Sequence, residues 1–309
     1  MSLDASLLLA AASAAAGRQQ YPAGALYVVA TPIGNLADIS LRALHVLSLV
    51  DAVACEDTRV TGALLRAYGL DKPLVALHEH NERAASARVI ERLARGERVA
   101  YVSDAGTPAV SDPGAVLVSD AAAAGHAVIP VPGASSVAAA LSVAGDGVAA
   151  AFAFAGFPPP RGAEREAALR AIAASSGSHV MFEAPHRIAS LAQSLAALAG
   201  ERRVTVCREL TKQFETVATM PARELPTWLA ADANRTRGEF VLVLHARPAE
   251  APADDDGARV LGVLLRELPL KQAVALAAEI SGAPRNALYQ RALALRRGVP
   301  DDAAQDGDG

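Results

Sequence analysis

The chain has 309 residues, of which 52% are hydrophobic, with a formal net charge of −4 and two cysteines. Its length predicts about two domains with sizeable cores. The acidic balance argues against a protein that holds nucleic acid by bulk charge. Two cysteines without a C-x-x-C pair argue against a disulfide framework or a zinc site and indicate a reducing compartment, so we predict a cytoplasmic protein without a metal.

The N-terminal stretch is rich in alanine. Residues 7–16 are nearly all apolar, but this run is shorter than the ~20 residues that cross a bilayer, and no basic residue precedes it as in a signal peptide. We therefore predict a flexible extension over residues 1–24. No later segment is long and apolar enough to span a membrane, and we predict no membrane contact.

Short runs of β-branched residues alternate with longer Ala- and Leu-rich stretches of helical period. This alternation predicts an α/β protein with largely parallel sheets. The last strands of the second half have little sequence between them, which favours a mixed sheet there. The predicted strands cover residues 25–31, 52–56, 74–78, 99–104, 127–131, 152–156, 179–183, 204–209, 215–220 and 239–245. Helices are predicted between most of them, for example over residues 40–49, 82–94 and 187–198.

A small, loop-like segment at residues 145–151 separates the two series of strands. A second break, rich in Pro, Ala and Asp, begins near residue 247 and is typical of a solvated linker. The predicted domains are two α/β/α domains at 25–146 and 147–247, a linker at 248–257, a helical module at 258–298 and a disordered acidic tail at 299–309.

The first strand ends in the turn T-P-I-G-N-L at residues 31–36. In α/β proteins, ligand crevices form at the carboxyl ends of strands, so Pro32 and Gly34 are candidates for ligand contact. An ordinary strand-to-helix turn is the alternative interpretation. Neither G-x-G-x-x-G nor G-x-x-x-x-G-K-[ST] is present, so dinucleotide and P-loop functions lose their main support.

The fourth strand ends in S-D-A-G-T-P-A-V-S-D-P-G at residues 103–114. Such a loop lets the backbone approach a ligand closely, while Asp104 and Thr107 can hydrogen-bond amino or hydroxyl groups of a small cofactor. A rigid turn is the alternative. Because strand, loop and position coincide, we predict a cofactor loop here.

The fifth strand ends in V-P-G-A-S-S at residues 131–136, which opens a helix. A serine at this position either caps the helix or donates to a ligand at the helix N-terminus. Capping is the simpler interpretation of this segment by itself.

Ionisable residues follow the second and third strands. Glu56, Asp57 and Arg59 form either a local ion network of structural value or part of an RNA-facing loop. His78 and His80 are two residues apart without a third clustered ligand, which is a weak pattern for a metal.

Charge is also concentrated in F-E-A-P-H-R at 182–187 and C-R-E-L-T-K-Q-F-E at 207–215. Structural Arg–Glu pairs are one interpretation. Lysine occurs only three times, against 26 arginines, so a retained lysine indicates a place that needs a compact ammonium. Lys212, together with Glu209, is therefore a candidate phosphate contact or catalytic group.

Residues 270–289 have the pattern of a helix, a Gly-containing turn and a second helix, as in a helix-turn-helix. Residues 266–298 contain six basic and two acidic side chains, a local charge of +4. A basic module on an acidic chain favours RNA docking. A small helical cap is the alternative.

Taken together, these segments resemble the ribosomal RNA small subunit methyltransferase I family. The resemblance runs from about residue 26 to residue 295 and is carried, in order, by A-T-P-I-G-N-L-A-D-I-S, A-C-E-D-T-R-V-T, A-L-H-E-H-N-E, V-S-D-A-G-T-P, P-V-P-G-A-S-S, F-E-A-P-H-R, R-E-L-T-K-Q-F-E and G-E-F-V-L-V-L.

This resemblance implies two α/β/α domains of the tetrapyrrole-methylase type, a C-terminal helix-turn-helix and a homodimer. It implies S-adenosylmethionine as cofactor and 2′-O-methylation of the ribose of a cytidine in the decoding centre of 16S rRNA, within the small ribosomal subunit. The cofactor contacts that we expect are Pro32, Gly34, Asp104, Gly106, Thr107, Pro108, Val110, Ser135, Ser136 and Phe182.

A ribose hydroxyl is a weak acid, so a base or a cation near the nascent alkoxide should assist methyl transfer. The candidate bases are Asp57 and Glu209, and the candidate cations are Lys212 and Arg59. A small-molecule methyltransferase of the tetrapyrrole type is the rival function. The turn T-P-I-G-N argues against it, because tetrapyrrole methylases usually open with G-x-G-P-G.

Overall fold

The computed structural model describes residues 4–78, 81–247 and 254–297. It divides into two compact units, Met1–Ala246 and Arg247–Gly309. The first unit contains two five-stranded sheets, and the second is helical. Among the described residues, no helix has both the length and the apolar character that a bilayer crossing requires.

A helix, α1, covers Ala5–Ala16 in the segment predicted to be a flexible extension. Asp4 caps it by accepting from the backbone N–H groups of Ser6 and Leu7. Ala12 is fully buried in the first sheet's core, with Leu8 and Leu9 packed against it. Alanine favours a helix, but its small side chain gives no clear pattern of a face that packs, so the sequence did not predict that this segment is an ordered part of the core.

The first sheet has the strand order β3-β2-β4-β1-β5, and every strand pair is parallel. Its strands are β1 (Leu26–Val29), β2 (Ala52–Cys55), β3 (Leu74–Ala76), β4 (Val99–Val102) and β5 (Val128–Val131). The accompanying helices are α2 (Leu41–Leu49), α3 (Thr58–Ala67), α4 (Glu82–Ala94) and α5 (Ala115–Ala123).

Alternate residues of these strands face opposite layers. Tyr27 packs with residues of α1, α2 and α3, whereas its neighbour Leu26 packs with α4 and α5. Strands β2 and β4 are buried at every position, as expected for a parallel sheet covered by helices on both faces.

The second sheet has the order β6-β7-β10-β8-β9. Its strands are β6 (Phe152–Gly156), β7 (Ser178–Glu183), β8 (Arg203–Arg208), β9 (Thr216–Pro221) and β10 (Phe240–Leu244). Only β6 and β7 are parallel, because β10 runs antiparallel to both β7 and β8, and β8 runs antiparallel to β9. The prediction of a mixed sheet is therefore confirmed.

Helices cover both faces of the second sheet. They are α6 (Ser136–Ala144) on one face and α7 (Gly162–Ala174), α8 (Ile188–Ala199) and α9 (Leu225–Ala230) on the other. Ala140 and Ala144 of α6 pack with Val180 and Val243. The predicted domain boundary at 145–151 lies after α6 in the sequence. Because α6 packs on the second sheet, the layers that cover the first sheet end before α6.

The helical unit consists of α10 (Asp254–Leu264), α11 (Leu270–Ser281) and α12 (Arg285–Arg297) around Leu261, Val274 and Leu288. Gly282 ends α11 with φ +70°, a left-handed conformation that favours glycine. Helix α10 begins inside the predicted linker, since acidic residues favour a helix N-terminus. The tail predicted at 299–309 lies outside the described residues.

Candidate functional site

The loops after β1, β4 and β5 meet at one edge of the first sheet, because the carboxyl ends of parallel strands share an edge. Thr31 and Gly106 exchange two backbone hydrogen bonds, of 2.9 and 3.0 Å. The Thr107 hydroxyl donates to the carbonyl of Ala134 at 3.1 Å. Three of the sequence motifs are thereby joined into one surface.

A cleft of about 380 Å³ lies against this surface, between the edges of the two sheets of the first unit. A smaller cavity of about 60 Å³ shares four of its lining residues. The residues lining one or both are Ile33, Asp104, Ala105, Gly106, Thr107, Val110, Ser111, Asp112, Ser135, Ser136, Val137, Phe157, Phe182, Glu183, Ala184, Pro185, Cys207, Leu210, Glu239, Phe240 and Val241.

Seven of the ten expected cofactor contacts line these two cavities: Asp104, Gly106, Thr107, Val110, Ser135, Ser136 and Phe182. Pro32 and Pro108 lie outside the lining of either cavity. Gly34 lines a separate, more open groove of about 700 Å³, together with Lys212.

One wall of the cleft is aromatic. The ring of Phe182 meets Phe154 and Phe157 edge-on, with centroid distances of 5.0 and 5.4 Å. Ile33 and Leu210 extend this apolar surface. Such a wall suits a flat heterocycle, for which edge-on and offset contacts are favourable.

A second wall is acidic and contains Asp104 and Asp112. Burial raises the pKa of Asp112 above its ordinary value and outweighs a hydrogen bond from Ser103 that lowers it, and the negative charge of Asp104 adds to the rise. Burial, followed by the negative charges of Asp104 and Asp112, likewise raises the pKa of Glu56. A cationic ligand placed here would relieve this repulsion, so the wall favours a positively charged small molecule.

The loop from β4 to α5 is held in an unusual conformation. Ala109 and Ser111 have φ of +62° and +68°, a region that non-glycine residues adopt at a cost. The hydroxyl of buried Tyr101 donates to the carbonyl of Pro113. Gly114, with φ +118°, lies so close to the Tyr101 ring that a β-carbon would overlap it. The loop's shape is thus determined by packing beneath it.

Ser135 caps α6, since its hydroxyl accepts from the N–H of Ala138 at 3.4 Å. This is the simpler of the two interpretations that the sequence left open. The hydroxyl of Thr107 is likewise engaged with a backbone carbonyl. Both side chains shape the cavities that they line.

Lys212 lies between two carboxylates. Its Nζ is 3.0 Å from Oε1 of Glu209 and 3.1 Å from Oε2 of Glu239. Burial by itself would lower the pKa of Lys212, but the hydrogen bonds to these carboxylates outweigh it, and the pKa lies above its ordinary value. The group is therefore a cation at neutral pH.

Glu209 is fixed in place by its surroundings. Its Oε1 also accepts from the N–H of Glu239 at 2.9 Å. Burial opposes ionisation, but this N–H and the Lys212 ammonium outweigh it and lower the pKa of Glu209. Gly238, with φ +89°, leaves no room for a β-carbon beside the carboxylate. Glu209 is accordingly a weak proton acceptor and a firm anchor for Lys212.

Asp57 and Arg59 form a local pair instead of entering the cleft. Asp57 caps α3, and its carboxylate is 2.6 Å from the Arg59 guanidinium. Hydrogen bonds from the Arg59 side chain and backbone lower the pKa of Asp57 to about 2. Arg59 itself is 90% exposed. The Asp57 N–H donates to Asp104 at 3.1 Å, which ties the pair to the acidic wall.

The segment at 182–187 contains a buried ion network. Glu183 is 2.9 Å from Nη2 of Arg165 and also pairs with Arg187, and its side chain is fully buried. This agrees with structural Arg–Glu pairing. His80, of the weak metal pattern, lies outside the described residues.

Fourteen of the 21 lining residues were not among the expected contacts, and Asp112, Glu239 and Phe157 are the three of them that bear most on the chemistry of the cleft. Asp112 lies in the same Asp-, Gly- and Pro-rich loop as Asp104, which was a usable signal. Glu239 is opposite Glu209 because β10 is antiparallel to β8, with Phe240 paired to Arg208. Phe157 follows an edge strand. Neither of the last two positions is apparent without the strand pairing.

Comparisons with known proteins agree with this geometry. The family model described as tetrapyrrole (corrin/porphyrin) methylases matches residues 25–226. The model described as RsmI C-terminal HTH domain matches residues 251–296. Ribosomal RNA small subunit methyltransferase I of Pseudomonas aeruginosa is 50% identical over 88% of this chain and 97% of its own length. The chain belongs to this methyltransferase I family.

Other members of the methyltransferase I family show similar agreement. The protein of Neisseria meningitidis serogroup B is 49% identical over 88% of this chain and 94% of its own length. That of Escherichia coli O157:H7 is 46% identical over 87% of this chain and 95% of its own length. The predicted family and its C-terminal helix-turn-helix are confirmed.

Solved structures show the same fold at lower identity. A cobalt precorrin-4 methyltransferase is 17% identical with a TM-score of 0.55, covering 73% of this chain and 98% of its own. Uroporphyrin-III C-methyltransferase of Thermus thermophilus, solved with S-adenosylhomocysteine, is 18% identical with a TM-score of 0.50, covering 72% and 97%. These likenesses establish the tetrapyrrole-methylase fold of the first unit.

Proposed function

We propose that this protein transfers a methyl group from S-adenosylmethionine to the ribose 2′-oxygen of a cytidine in the decoding centre of 16S rRNA. Relatives named ribosomal RNA small subunit methyltransferase I, at 42–50% identity, support the reaction class and the substrate. The observation that carries the proposal is the acidic and aromatic cleft, together with Lys212, a cation held between Glu209 and the cleft-lining Glu239.

The cleft fits S-adenosylmethionine chemically. Its volume of about 380 Å³ lies in the range of small-ligand sites. The rings of Phe157 and Phe182, which line the cleft, suit an adenine, and Asp104 and Asp112 suit the positive charges of an ammonium and a sulfonium. The residues that would hold the cofactor are therefore those of the β4–α5 loop, the start of α6 and Phe182.

When bound, S-adenosylmethionine supplies an electrophilic methyl on sulfur, which an oxygen nucleophile takes in an in-line displacement. This chain's task is to align the ribose oxygen, since alignment can supply a large part of the rate enhancement. The fixed loops on both sides of the cleft provide such a rigid frame.

Lys212 is the cation that stabilises the developing alkoxide. Glu209, with its lowered pKa, holds the ammonium in position. Glu239 lines the cleft and is largely exposed, so its carboxylate is placed to accept the hydroxyl proton. Asp57 is a poor base because its pKa is about 2, and exposed Arg59 is better suited to contact a phosphate.

The helical unit is the second RNA contact in this proposal. Its six basic and two acidic side chains between residues 266 and 298 provide the local positive charge that the remainder of the chain lacks. Because small ribosomal subunits are found in the cytoplasm, the proposed substrate implies a cytoplasmic protein. The homodimer that the family resemblance implies is part of the same proposal, and light scattering of the purified protein tests it.

The cofactor assignment is tested by calorimetric titration of the purified protein with S-adenosylmethionine and S-adenosylhomocysteine. We expect binding of both, and weaker binding by Asp104→Ala. Arg88→Ala, on the exposed surface of α4, is the matched control and should bind like the wild type. An absence of binding by the wild type would contradict the assignment.

The substrate assignment is tested by transfer of labelled methyl to small ribosomal subunits, naked 16S rRNA and a porphyrinoid. Label in the porphyrinoid but in neither RNA substrate would favour the small-molecule alternative. For the helical unit, Arg285→Gln should raise KM for RNA and reduce the salt dependence of binding, whereas Glu279→Gln, which removes the opposite charge, should not weaken binding.

A further inference from the structure

An aromatic side chain projects from the hairpin that joins β8 and β9. Phe214 is 69% exposed, more than any other large apolar side chain in the described part of the chain. Aromatic residues make up only 4% of this sequence, and Phe214 is the most exposed of those that the structure describes. Exposure to water is costly for a phenyl ring unless a partner covers it.

The hairpin that carries Phe214 is held firmly. Nη1 of Arg208 donates to the carbonyl of Phe214 at 3.0 Å. The N–H of Thr211 donates to Oε1 of Glu215 at 2.7 Å, and the N–H of Glu215 donates to the carbonyl of Lys212 at 3.1 Å. Phe214 is thus presented on a fixed frame, which lowers the entropy cost of binding a partner.

The hairpin borders the open groove, which adjoins the cleft where Lys212 of the groove pairs with Glu239 of the cleft. Thr211, Lys212 and Gln213 form one wall of the groove, and residues 34–37 form the other. Ile33 and Leu210, which line the cleft, directly precede these two walls in the chain. A polynucleotide whose target ribose lies in the cleft would therefore pass its neighbouring nucleotides along the groove.

The groove is not suited to binding by charge. The positive charge of Lys212 is offset by the carboxylates of Glu209 and Glu239, and the opposite wall contains exposed Leu36. Single-stranded nucleic acid also binds through bases stacked on aromatic rings, which needs little local charge. An exposed phenyl ring on the hairpin that forms one wall of this groove has this chemistry.

We propose that Phe214 stacks on an unpaired RNA base adjacent to the nucleotide in the cleft, so that the β8–β9 hairpin positions the substrate strand. This inference rests on the proposed function, because it takes the cleft to be the site where RNA is methylated. It assigns Phe214 as a positioning residue that acts on substrate binding and leaves the cofactor site unchanged.

The test compares Phe214→Ala, Phe214→Leu and Phe214→Tyr in the full chain. With small ribosomal subunits as substrate, the Ala and Leu variants should raise KM by roughly 5- to 100-fold, the loss expected for one base–aromatic stack. The Tyr variant should keep the wild-type KM, and S-adenosylmethionine affinity should be the same in all. Phe152→Ala is the matched control, since Phe152 is also exposed, at 54%, but lies on β6 at the opposite edge of the sheet.

A second measurement does not depend on methylation. Short single-stranded RNA with 2-aminopurine at successive positions should lose fluorescence on binding to the wild type and to Phe214→Tyr, because stacking quenches the probe. Phe214→Ala and Phe214→Leu should leave the fluorescence unchanged. Equal quenching by the wild type and Phe214→Ala would overturn the proposal.

The two proposals fail in different ways. A wild type that methylates small subunits with the same KM as Phe214→Ala, or a Leu variant as effective as Tyr, would overturn stacking and leave the proposed function intact. A wild type that methylates no ribosomal substrate would contradict the proposed function, and with it the role of Phe214 in that reaction.

Discussion

The side chain of Lys212 lies directly against the α-carbon of Gly34, so close that a β-carbon at Gly34 would overlap it. Gly34 follows β1 of the first sheet, and Lys212 lies between β8 and β9 of the second. This contact therefore joins the two halves of the unit beside the cleft. It explains why the turn after the first strand has glycine at this position.

Replacement of Gly34 by alanine should displace Lys212 without affecting the β4–α5 loop. We expect kcat for methyl transfer to fall by roughly 10- to 100-fold, since small displacements of an aligning group are costly. S-adenosylmethionine affinity should be retained, because Gly34 does not line either cavity of the proposed cofactor site. Steady-state kinetics and calorimetry check this, and a variant with reduced cofactor affinity but normal kcat would contradict it.

Replacement of Lys212 by glutamine should lower kcat by about 100-fold or more, the usual cost of removing a charged stabiliser of the transition state. Because the folded-state pKa of Lys212 is raised, the ammonium is present at all pH values below its ordinary value of 10.5 and is lost only above it. Between pH 7 and 9, the rates of the wild type and of the Lys212→Gln variant should therefore depend on pH in the same way. A decline in this range that occurs in the wild type and is absent from the variant would assign the titration to Lys212 and contradict this account.

Asp112→Asn should stabilise the protein at neutral pH while weakening cofactor binding. Burial raises the folded-state pKa of Asp112 above its unfolded value of 3.8, so the ionised carboxylate costs stability at high pH and the cost disappears as the pH falls below 3.8. Thermal unfolding should show a higher Tm for the variant at pH 7.5 and no difference near pH 3.5. A lower Tm at pH 7.5 would contradict a repulsive acidic wall.

Gly114→Ala should destabilise the protein by about 2–4 kcal/mol. The added methyl would overlap the buried ring of Tyr101, and alanine would have to adopt the positive φ of this position. Gly125→Ala is the matched control. Gly125 has φ +79° but open space around it, so its variant should lose only about 1 kcal/mol. Urea unfolding measures both, and equal losses would show that backbone strain, not packing under the β4–α5 loop, limits position 114.

Much of the fold was predictable because the strands follow a simple pattern. β2 and β4 are short, apolar and buried on both faces, and a short continuous apolar run is the sequence pattern expected of a parallel strand. Once the strands are placed, the meeting of the loops at Thr31, Gly106 and Ala134 follows from parallel topology. The positions of Asp104, Gly106 and Thr107 could therefore be expected without a structure.

Other features depend on packing that the pattern does not contain. Glu239 reaches Lys212 only because β10 inserts antiparallel between β7 and β8. The helix α1 forms where alanine meets α2, and α6 packs on the second sheet although it directly follows the first. Asp57 was a plausible base by sequence, but its role as helix cap and partner of Arg59 lowers its pKa. These contacts join residues that are far apart in sequence or depend on exact local geometry, so residue types by themselves do not predict them.

The most direct test of the account is the identity of the nucleoside that receives the methyl group. Small ribosomal subunits that lack the modification are incubated with the protein and labelled S-adenosylmethionine, and the RNA is digested and analysed by mass spectrometry. The account predicts label in 2′-O-methylcytidine, and almost none with Lys212→Gln. Label on a base, on a different ribose, or in no RNA nucleoside would contradict it.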